Sequence, residues 1–150
     1  MVTVNKMKII TDNKFLAKTC EVVPEEKFQW IRGILHREML IKTNAVGLAA
    51  NQLGIPYRAF AMRYNKKIIV FINPKITDSW GDELFLKEKC LSLKKQYKVK
   101  RCMYIRVTDD YHTKGHTMAL TNYDAQVFQH EIDHIDGITI KTRSELDGKS

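Results

Sequence analysis

Apolar residues in the first third of the chain recur at the spacing of an amphipathic helix. Pro24 suits the first turn of a helix, and Glu25 and Glu26 follow it, where negative charge is favourable. Apolar side chains then fall three or four positions apart, at Phe28, Ile31, Ile34, Leu35 and Met39. The pattern predicts a helix over residues 24–43. A shorter helix over residues 12–20 is weakly indicated.

The middle of the chain is instead rich in β-branched and aromatic residues, which favour strands. In the segment 98–108, apolar side chains alternate with charged ones, with Val99, Met103, Ile105 and Val107 on one side. We expect strands at 57–64, 66–74, 98–108 and 116–121. The connections at Tyr64-Asn65-Lys66 and at 109–115 are short enough for hairpins, so the sheet should be antiparallel.

A second strong helical pattern covers residues 122–136. Thr121 with Asp124 fits a capping box, and Gly137 supplies the stop. One face carries Ala125, Phe128, Ile132 and Ile135 and should pack on the sheet. Another carries Tyr123, Val127, His130 and His134. The order of elements predicts a single α+β domain over residues 1–150, with antiparallel sheets packed around this C-terminal helix and an amphipathic helix at the N-terminal end. The residues after Gly137 look like a polar tail with no further helix.

Composition narrows the class of protein. A hydrophobic fraction of 44% and a charged fraction of 28% exclude a disordered or fibrous chain. No apolar stretch is long enough for a membrane span or a signal peptide, which predicts a cytoplasmic protein without a membrane partner. Three cysteines, Cys20, Cys90 and Cys102, are too few for a disulfide scaffold, so each should be a buried thiol or a ligand.

The formal net charge is +8, and much of the excess lies in residues 94–101. A solvated strand face explains this segment at least as well as a nucleic-acid surface, because no specific nucleic-acid motif accompanies the charge.

The stretch QHEIDHIDG, residues 129–137, carries the candidate chemistry. His130 and His134 are four apart, with Glu131 between them. Imidazoles at this spacing stand one helical turn apart and can reach one metal ion, while the glutamate can accept a proton from a water on that ion. The alternative is a solvated helix that binds no metal. A catalytic site needs a third protein ligand, and the polar tail offers only Glu145 and Asp147, so we expect that ligand upstream.

Two upstream segments complete the pattern. Residues 88–92 read EKCLS, where Cys90 offers a soft ligand, and residues 45–54 read AVGLAANQLG. Glycine in the latter permits close approach of the backbone, and Gln52 offers an amide donor. Alone, Cys90 would be read as a buried thiol and the glycine segment as a packing loop. Together with the histidine helix, in this order, the three segments resemble the three sequence motifs of peptide deformylases.

The resemblance implies a metal-dependent hydrolase. By similarity, Cys90, His130 and His134 hold one divalent ion, Fe²⁺ by family resemblance, with Zn²⁺, Ni²⁺ or Co²⁺ as alternatives. A water on the ion attacks the formyl group on the N-terminal methionine of newly made polypeptides. Glu131 takes the proton from that water and delivers it to the departing amine. The oxyanion is held by the ion and by two donors, the Gln52 side chain and the Leu91 N–H.

The resemblance also implies residues around the reacting atoms. Substrate contacts are expected from Val46, Gly47, Lys89, Tyr123 and Val127. Glu88 and Asp133 are expected to accept hydrogen bonds from the metal-binding histidines. Two positions depart from the family pattern, because Ala45 and Lys89 stand where the family usually has glycine. We expect Lys89 to keep a negative φ, since positive φ disfavours a side chain, and to point into solvent near the cleft.

The partners implied are formyl-methionyl nascent peptides and, transiently, the ribosome. The short tail resembles deformylase forms that lack a long C-terminal helix, such as phage-encoded ones. An inactive relative that binds a peptide terminus is one alternative, against which the intact Glu131 argues. A basic ribosome- or RNA-binding module with an incidental metal is another, and it rests on charge alone.

Overall fold

The computed structural model describes residues 6–148, which form an α+β fold. The helices are α1 Asn13–Leu16, α2 Phe28–Ile41, α3 Asn122–Ile135 and α4 Ile140–Asp147. The strands are β1 Gly47–Ala49, β2 Ala59–Tyr64, β3 Lys67–Ile72, β4 Lys75–Glu88, β5 Tyr97–Thr108 and β6 Met118–Thr121. They form two antiparallel sheets, ordered β1-β2-β3 and β4-β5-β6. The predicted fold class is confirmed.

The first sheet is covered on both faces. Successive side chains of β2 point to opposite sides: Ala59 and Ala61 join a cluster with Leu35 of α2, while Phe60 and Met62 join a cluster with α3. Two-sided cover explains why the first four residues of β2 are all buried. A 3-10 turn at Glu25–Lys27 precedes α2, so the α-helix begins a few residues later than predicted.

Helix α3 packs against both sheets through the predicted apolar face. Ala125, Phe128 and Ile135 are buried in one cluster with residues of the first sheet and with Ile105, Val107 and Leu120 of the second, and Ile132 packs against its edge. The Phe128 ring meets Phe60 and Phe71 edge-on, with centroids 5.0 Å and 5.1 Å away, a favourable aromatic geometry. This contact holds α3 rigidly, so its other face can present the histidines at fixed positions.

Both predicted hairpin connections are present. Asn65 and Lys66, with φ of 48° and 66°, form the two-residue link between β2 and β3, as primed turns require. Residues 109–117 connect β5 to β6, two residues more than the predicted connection at 109–115. There the buried Asp109 carboxylate accepts hydrogen bonds from the backbone N–H groups of Ile72 and Thr113. The loop is thereby fastened to the end of β3.

Strand β4 was not predicted. Nearly all of its residues are exposed, so the sequence lacks the alternation that marks a half-buried strand. Two register shifts against β5, between Ile76 and Asp78 and between Trp80 and Glu83, break the period further. The three-residue strand β1 is not predicted either, because the glycine- and alanine-rich sequence of its segment favours a packing loop.

The prediction of a polar tail without a helix was wrong, because α4 lies there. Its N-cap is Thr139, whose side chain accepts a hydrogen bond from Thr142 N–H. Only Ile140 of α4 is buried, so the helix lacks an apolar stripe that periodicity could detect. No helix within residues 6–148 is long and apolar enough to cross a membrane.

The structure confirms the predicted stop of α3 but not the predicted capping box at its start. Gly137 has φ of 79° and follows the helix as expected for a stop. Thr121 is the N-cap, but its side chain makes no capping hydrogen bond, so the predicted capping box with Asp124 is wrong. Thr121 is instead the last residue of β6, paired with Tyr104, and exposed.

Candidate metal centre

Three potential ligands converge where the end of β4 meets α3. His130 and His134 lie on one face of α3, and Cys90 follows β4 by two residues. The ligand atoms of the three residues all lie within 4.8 Å of one another. Cys90 Sγ is 3.2 Å from His134 Nε2. A thiolate and two imidazoles leave the fourth position of a tetrahedral ion open, which is the arrangement of a catalytic site.

Glu88 orients the first histidine. Its Oε1 lies 2.9 Å from His130 Nδ1, so the other ring nitrogen is left for the ligand cluster, and this contact agrees with the role expected for Glu88. Burial lowers the pKa of His130, but its hydrogen bonds with Cys90 and Glu88 outweigh burial and raise the pKa to about 10. In the metal-free protein these contacts therefore favour the protonated form of the His130 ring.

Behind Glu88 lies Arg101, which the sequence analysis missed. Its guanidinium is 3% exposed and donates to both Glu88 oxygens, at 2.9 Å and 3.0 Å. It also donates to Asp133 at 2.6 Å. Asp133, expected to accept from a histidine, instead accepts from Arg101 and Arg143, and His134 Nδ1 has no partner among the described residues. Position 101 lies two residues from buried Val99 and two from buried Met103 on β5, so the alternation of the strand places Arg101 on the buried side. This alternation is the feature of the sequence that could have predicted its burial.

Glu131 is buried next to the ligand cluster. It is 1% exposed, and its Oε2 atom has no hydrogen-bond partner in the described part of the chain. Burial raises the pKa of this carboxyl to about 7, while the neighbouring His130 lowers it. A buried carboxyl group with an unused oxygen beside the ligand cluster is well placed to accept and return a proton.

Gly47 leaves the space that Glu131 occupies. A Cβ built at position 47 would lie 2.8 Å from Glu131 Oε2 and 3.0 Å from its Cδ. Side-chain atoms do not approach so closely, so only glycine allows the carboxylate to lie against β1. The glycine-rich segment and the histidine helix are thus complementary in shape.

Two N–H donors flank the cluster. The buried Gln52 side chain accepts a hydrogen bond from Ala49 N–H at 3.0 Å, which directs its amide nitrogen toward Cys90 Sγ at 3.5 Å and Ser92 Oγ at 3.1 Å. The Leu91 backbone N–H donates no hydrogen bond within residues 6–148. Both residues line the same cleft. They provide donors suited to developing negative charge on an oxygen.

The cleft above the cluster has a volume of about 490 Å³, within the usual size of a ligand pocket. All residues expected to touch substrate line it, namely Val46, Gly47, Lys89, Tyr123 and Val127. Val127 is buried, whereas Tyr123 is 57% exposed and stands at the rim. Lys89 is exposed and is not among the residues with positive φ, so the expectation for its backbone and side chain is confirmed.

Comparison with known proteins agrees with this geometry. Residues 6–149 match the family model described as polypeptide deformylase. The chain belongs to the polypeptide deformylase family. The peptide deformylase of Aquifex aeolicus is 32% identical over 146 residues, which cover 90% of this chain and 85% of that protein. The chain is thus a metal-dependent hydrolase that removes the N-formyl group of nascent peptides.

Solved structures of family members share the fold. The crystal structure of peptide deformylase from Thermotoga maritima superposes with a TM-score of 0.78 at 29% identity, covering 95% of this chain and 98% of that one. The class I type b peptide deformylase from Acinetobacter baumannii, crystallised with Met-Ala-Ser, superposes with a TM-score of 0.81 at 22% identity, covering 93% and 100%. The second likeness supports the fold only.

Proposed function

We propose that Glu131, Gln52 and Leu91 carry the deformylation reaction in the cleft above the ligand cluster. The observation that supports this most is the position of Glu131, a buried carboxylate with an unpaired oxygen adjoining three convergent ligand atoms. Neither an inactive peptide binder nor an RNA-binding module needs a buried, unpaired carboxylate at this position, because leaving such a group without a partner costs stability.

Cys90, His130 and His134 would hold the metal ion. The donor set fits, because a thiolate and two imidazoles suit late first-row divalent ions. We propose Fe²⁺ on the family resemblance, with Zn²⁺, Ni²⁺ and Co²⁺ as alternatives. When bound, such an ion acts as a Lewis acid and lowers the pKa of a water molecule toward neutrality.

The proton in this reaction passes through Glu131. Its carboxylate takes a proton from the attacking water and gives it to the leaving α-amine, as the bond between the formyl carbon and nitrogen breaks. The products are formate and a free amino terminus. The Gln52 amide and the Leu91 N–H donate hydrogen bonds to the formyl oxygen as negative charge develops on it.

The substrate is the formyl-methionine end of a nascent polypeptide. Among residues 6–148, strand β1 pairs with one strand, β2. Its other edge can therefore form backbone hydrogen bonds with an extended peptide at Val46 and Gly47. Val127 and Tyr123 would contact the methionine side chain, and Lys89 the chain that follows it. Glu88 would keep His130 oriented, and Asp133 would act through Arg101.

We place the protein in the cytoplasm, where formylated chains emerge, with a transient ribosome contact. We also propose that residues 1–150 form one catalytic domain, because α3 packs against both sheets and supplies two of the three ligands.

Replacement of the cysteine ligand tests the proposal. Cys90→Ser should lose stoichiometric metal and formate release from formyl-Met-Ala-Ser after anaerobic purification. Cys102→Ser is the matched control, because Cys102 lies outside the ligand cluster, and it should keep both. Wild-type protein with metal but no turnover would favour the peptide-binding alternative. Full activity of Cys90→Ser would refute the ligand assignment.

A further inference from the structure

The mouth of the cleft carries a cluster of lysines that take no part in the chemical step. Four exposed lysines line it, Lys87, Lys89, Lys94 and Lys95, and we call them the lysine rim. The acidic residues that line the cleft are Glu88 and Glu131, and both are buried. The exposed charged side chains that line the cleft are therefore all lysines.

The rim lysines are not engaged in ion pairs within the described chain. None of its four lysines forms an ion pair with residues 6–148, whereas Lys42 pairs with Glu38 and Lys100 with Glu83. The negative charge of Glu88 is directed inward, where it is matched by Arg101 at 2.9 Å. Charges of one sign around a concave site raise the local concentration of ligands of the opposite sign.

A nascent chain must cross this rim. Its formylated methionine reaches the ligand cluster at the base of the cleft, so the following residues leave through the opening that the lysines surround. The electrostatic reach of exposed charges is about 10 Å at moderate ionic strength. That distance spans two or three residues of an extended peptide, at about 3.3 Å each.

We propose that the lysine rim makes this enzyme selective for formylated chains with acidic residues directly after methionine. The inference rests on the proposed function, since it assigns the rim to the same cleft. The rim acts mainly before the chemical step, by favouring encounter and binding of acidic peptides and disfavouring basic ones. Selectivity should therefore appear in kcat/KM and weaken as salt is added.

Three peptides test the proposal: formyl-Met-Ala-Ser, formyl-Met-Asp-Glu and formyl-Met-Lys-Lys. For the metal-loaded wild type at about 20 mM salt, we expect kcat/KM for the acidic peptide to exceed that for the basic one by about tenfold or more. At about 0.5 M salt the ratio should approach one, because screening shortens the reach of the rim. Equal values at low salt, or a preference for the basic peptide, would overturn the proposal.

Two double variants distinguish an effect of the rim lysines from an effect of the net charge of the protein. Lys94→Glu with Lys95→Glu leaves two lysines and two glutamates on the rim, so the ratio of the acidic to the basic peptide should fall toward one. Lys67→Glu with Lys141→Glu makes the same change in net charge at two exposed positions outside the cleft, and it should keep the wild-type ratio. An identical shift in both double variants would show that the rim has no special role. Failure of the wild type to hydrolyse any of the three peptides would instead contradict the proposed function.

Discussion

At the residue scale, the site depends on side chains that have little freedom to move. Glu131 lies against Gly47, Gln52 is held by Ala49 N–H, and His130 by Glu88. Each contact fixes the direction of one group that we propose to be reactive or metal-binding. A substitution that shifts one of these groups by a fraction of an ångström should therefore affect turnover more than stability.

Gly47→Ala tests this tight fit. The added methyl group would lie 2.8 Å from Glu131 Oε2, so the carboxylate must move, and we expect kcat/KM to fall about 100-fold. Gly33→Ala is the matched control, because a Cβ there meets nothing within 4 Å. Since Gly33 lies inside α2, its replacement should raise the free energy of unfolding by about 0.5–1 kcal/mol and leave turnover unchanged. Equal kcat/KM for both variants would contradict the account.

Arg101→Met tests the buried ion network. The change leaves the Glu88 and Asp133 carboxylates buried with a partner removed, and breaking a buried pair in this way costs about 3–5 kcal/mol. The free energy of unfolding from urea titration of metal-free protein measures the loss. Arg143→Met should cost less, because the Arg143 side chain is 28% exposed. A cost for Arg101→Met no larger than for Arg143→Met would show that the network contributes little.

At the element scale, the sequence predicts those elements whose apolar residues are periodic. Helix α3 and strand β5 each bury one side against a core, so the spacing of their apolar residues predicts both elements. Strand β4 is almost wholly exposed, and α4 buries only Ile140, so neither leaves a periodic signal. Arg101 was missed for a related reason: its charge suggested solvent, although its position in β5 placed it on the buried side. Whether such segments form a strand or helix, and whether such a residue is buried, depends on contacts with residues distant in sequence. The approach of the cysteine and histidine motifs became predictable only through family resemblance.

Helix α4 should support the metal centre through Ile140. That side chain is buried in one cluster with Cys90 and Val99, so Ile140→Ala opens a cavity there at a cost of about 2–5 kcal/mol. We also expect faster loss of metal to a chelator. Leu146→Ala, at a 48% exposed position of the same helix, should change neither quantity appreciably. Thermal unfolding and timed metal release measure the two effects. Equal results for the two variants would show that α4 does not support the metal centre.

At the scale of the whole molecule, one helix joins the two sheets and carries the site. Because α3 lies in the core shared by both sheets, the ligand geometry depends on the packing of the entire fold. The ion network around Glu88 connects β4, β5 and α3. A change in the charge of one of its members should therefore change the free energy of unfolding of the whole fold. Low pH makes such a change, because it protonates the Glu88 carboxylate.

Stability of the metal-free protein should fall in acid because of Glu88. Burial raises the pKa of this carboxyl, but hydrogen bonds from His130 and Arg101 outweigh burial and lower it to about 2. A lowered pKa means that the stabilisation is full above the ordinary value near 4.5 and is lost as pH falls toward 2, by on the order of 3 kcal/mol in total.

Urea unfolding at a series of pH values between 3 and 6, roughly the range in which carboxyl groups titrate, measures this dependence. The slope should be shallower in Glu88→Gln than in the wild type, whereas Glu26→Gln, at an exposed position, should keep the wild-type slope. A wild-type slope in Glu88→Gln would contradict the assignment.

The most direct test of the central claim is the rate of formate release by Glu131→Gln, measured with its metal content. Glutamine keeps the shape of the side chain but cannot accept the proton, so kcat/KM for formyl-Met-Ala-Ser should fall by about 10²–10⁴-fold. Metal should remain stoichiometric, because Glu131 is not among the three ligands. Turnover at the wild-type rate by metal-loaded Glu131→Gln would contradict the account.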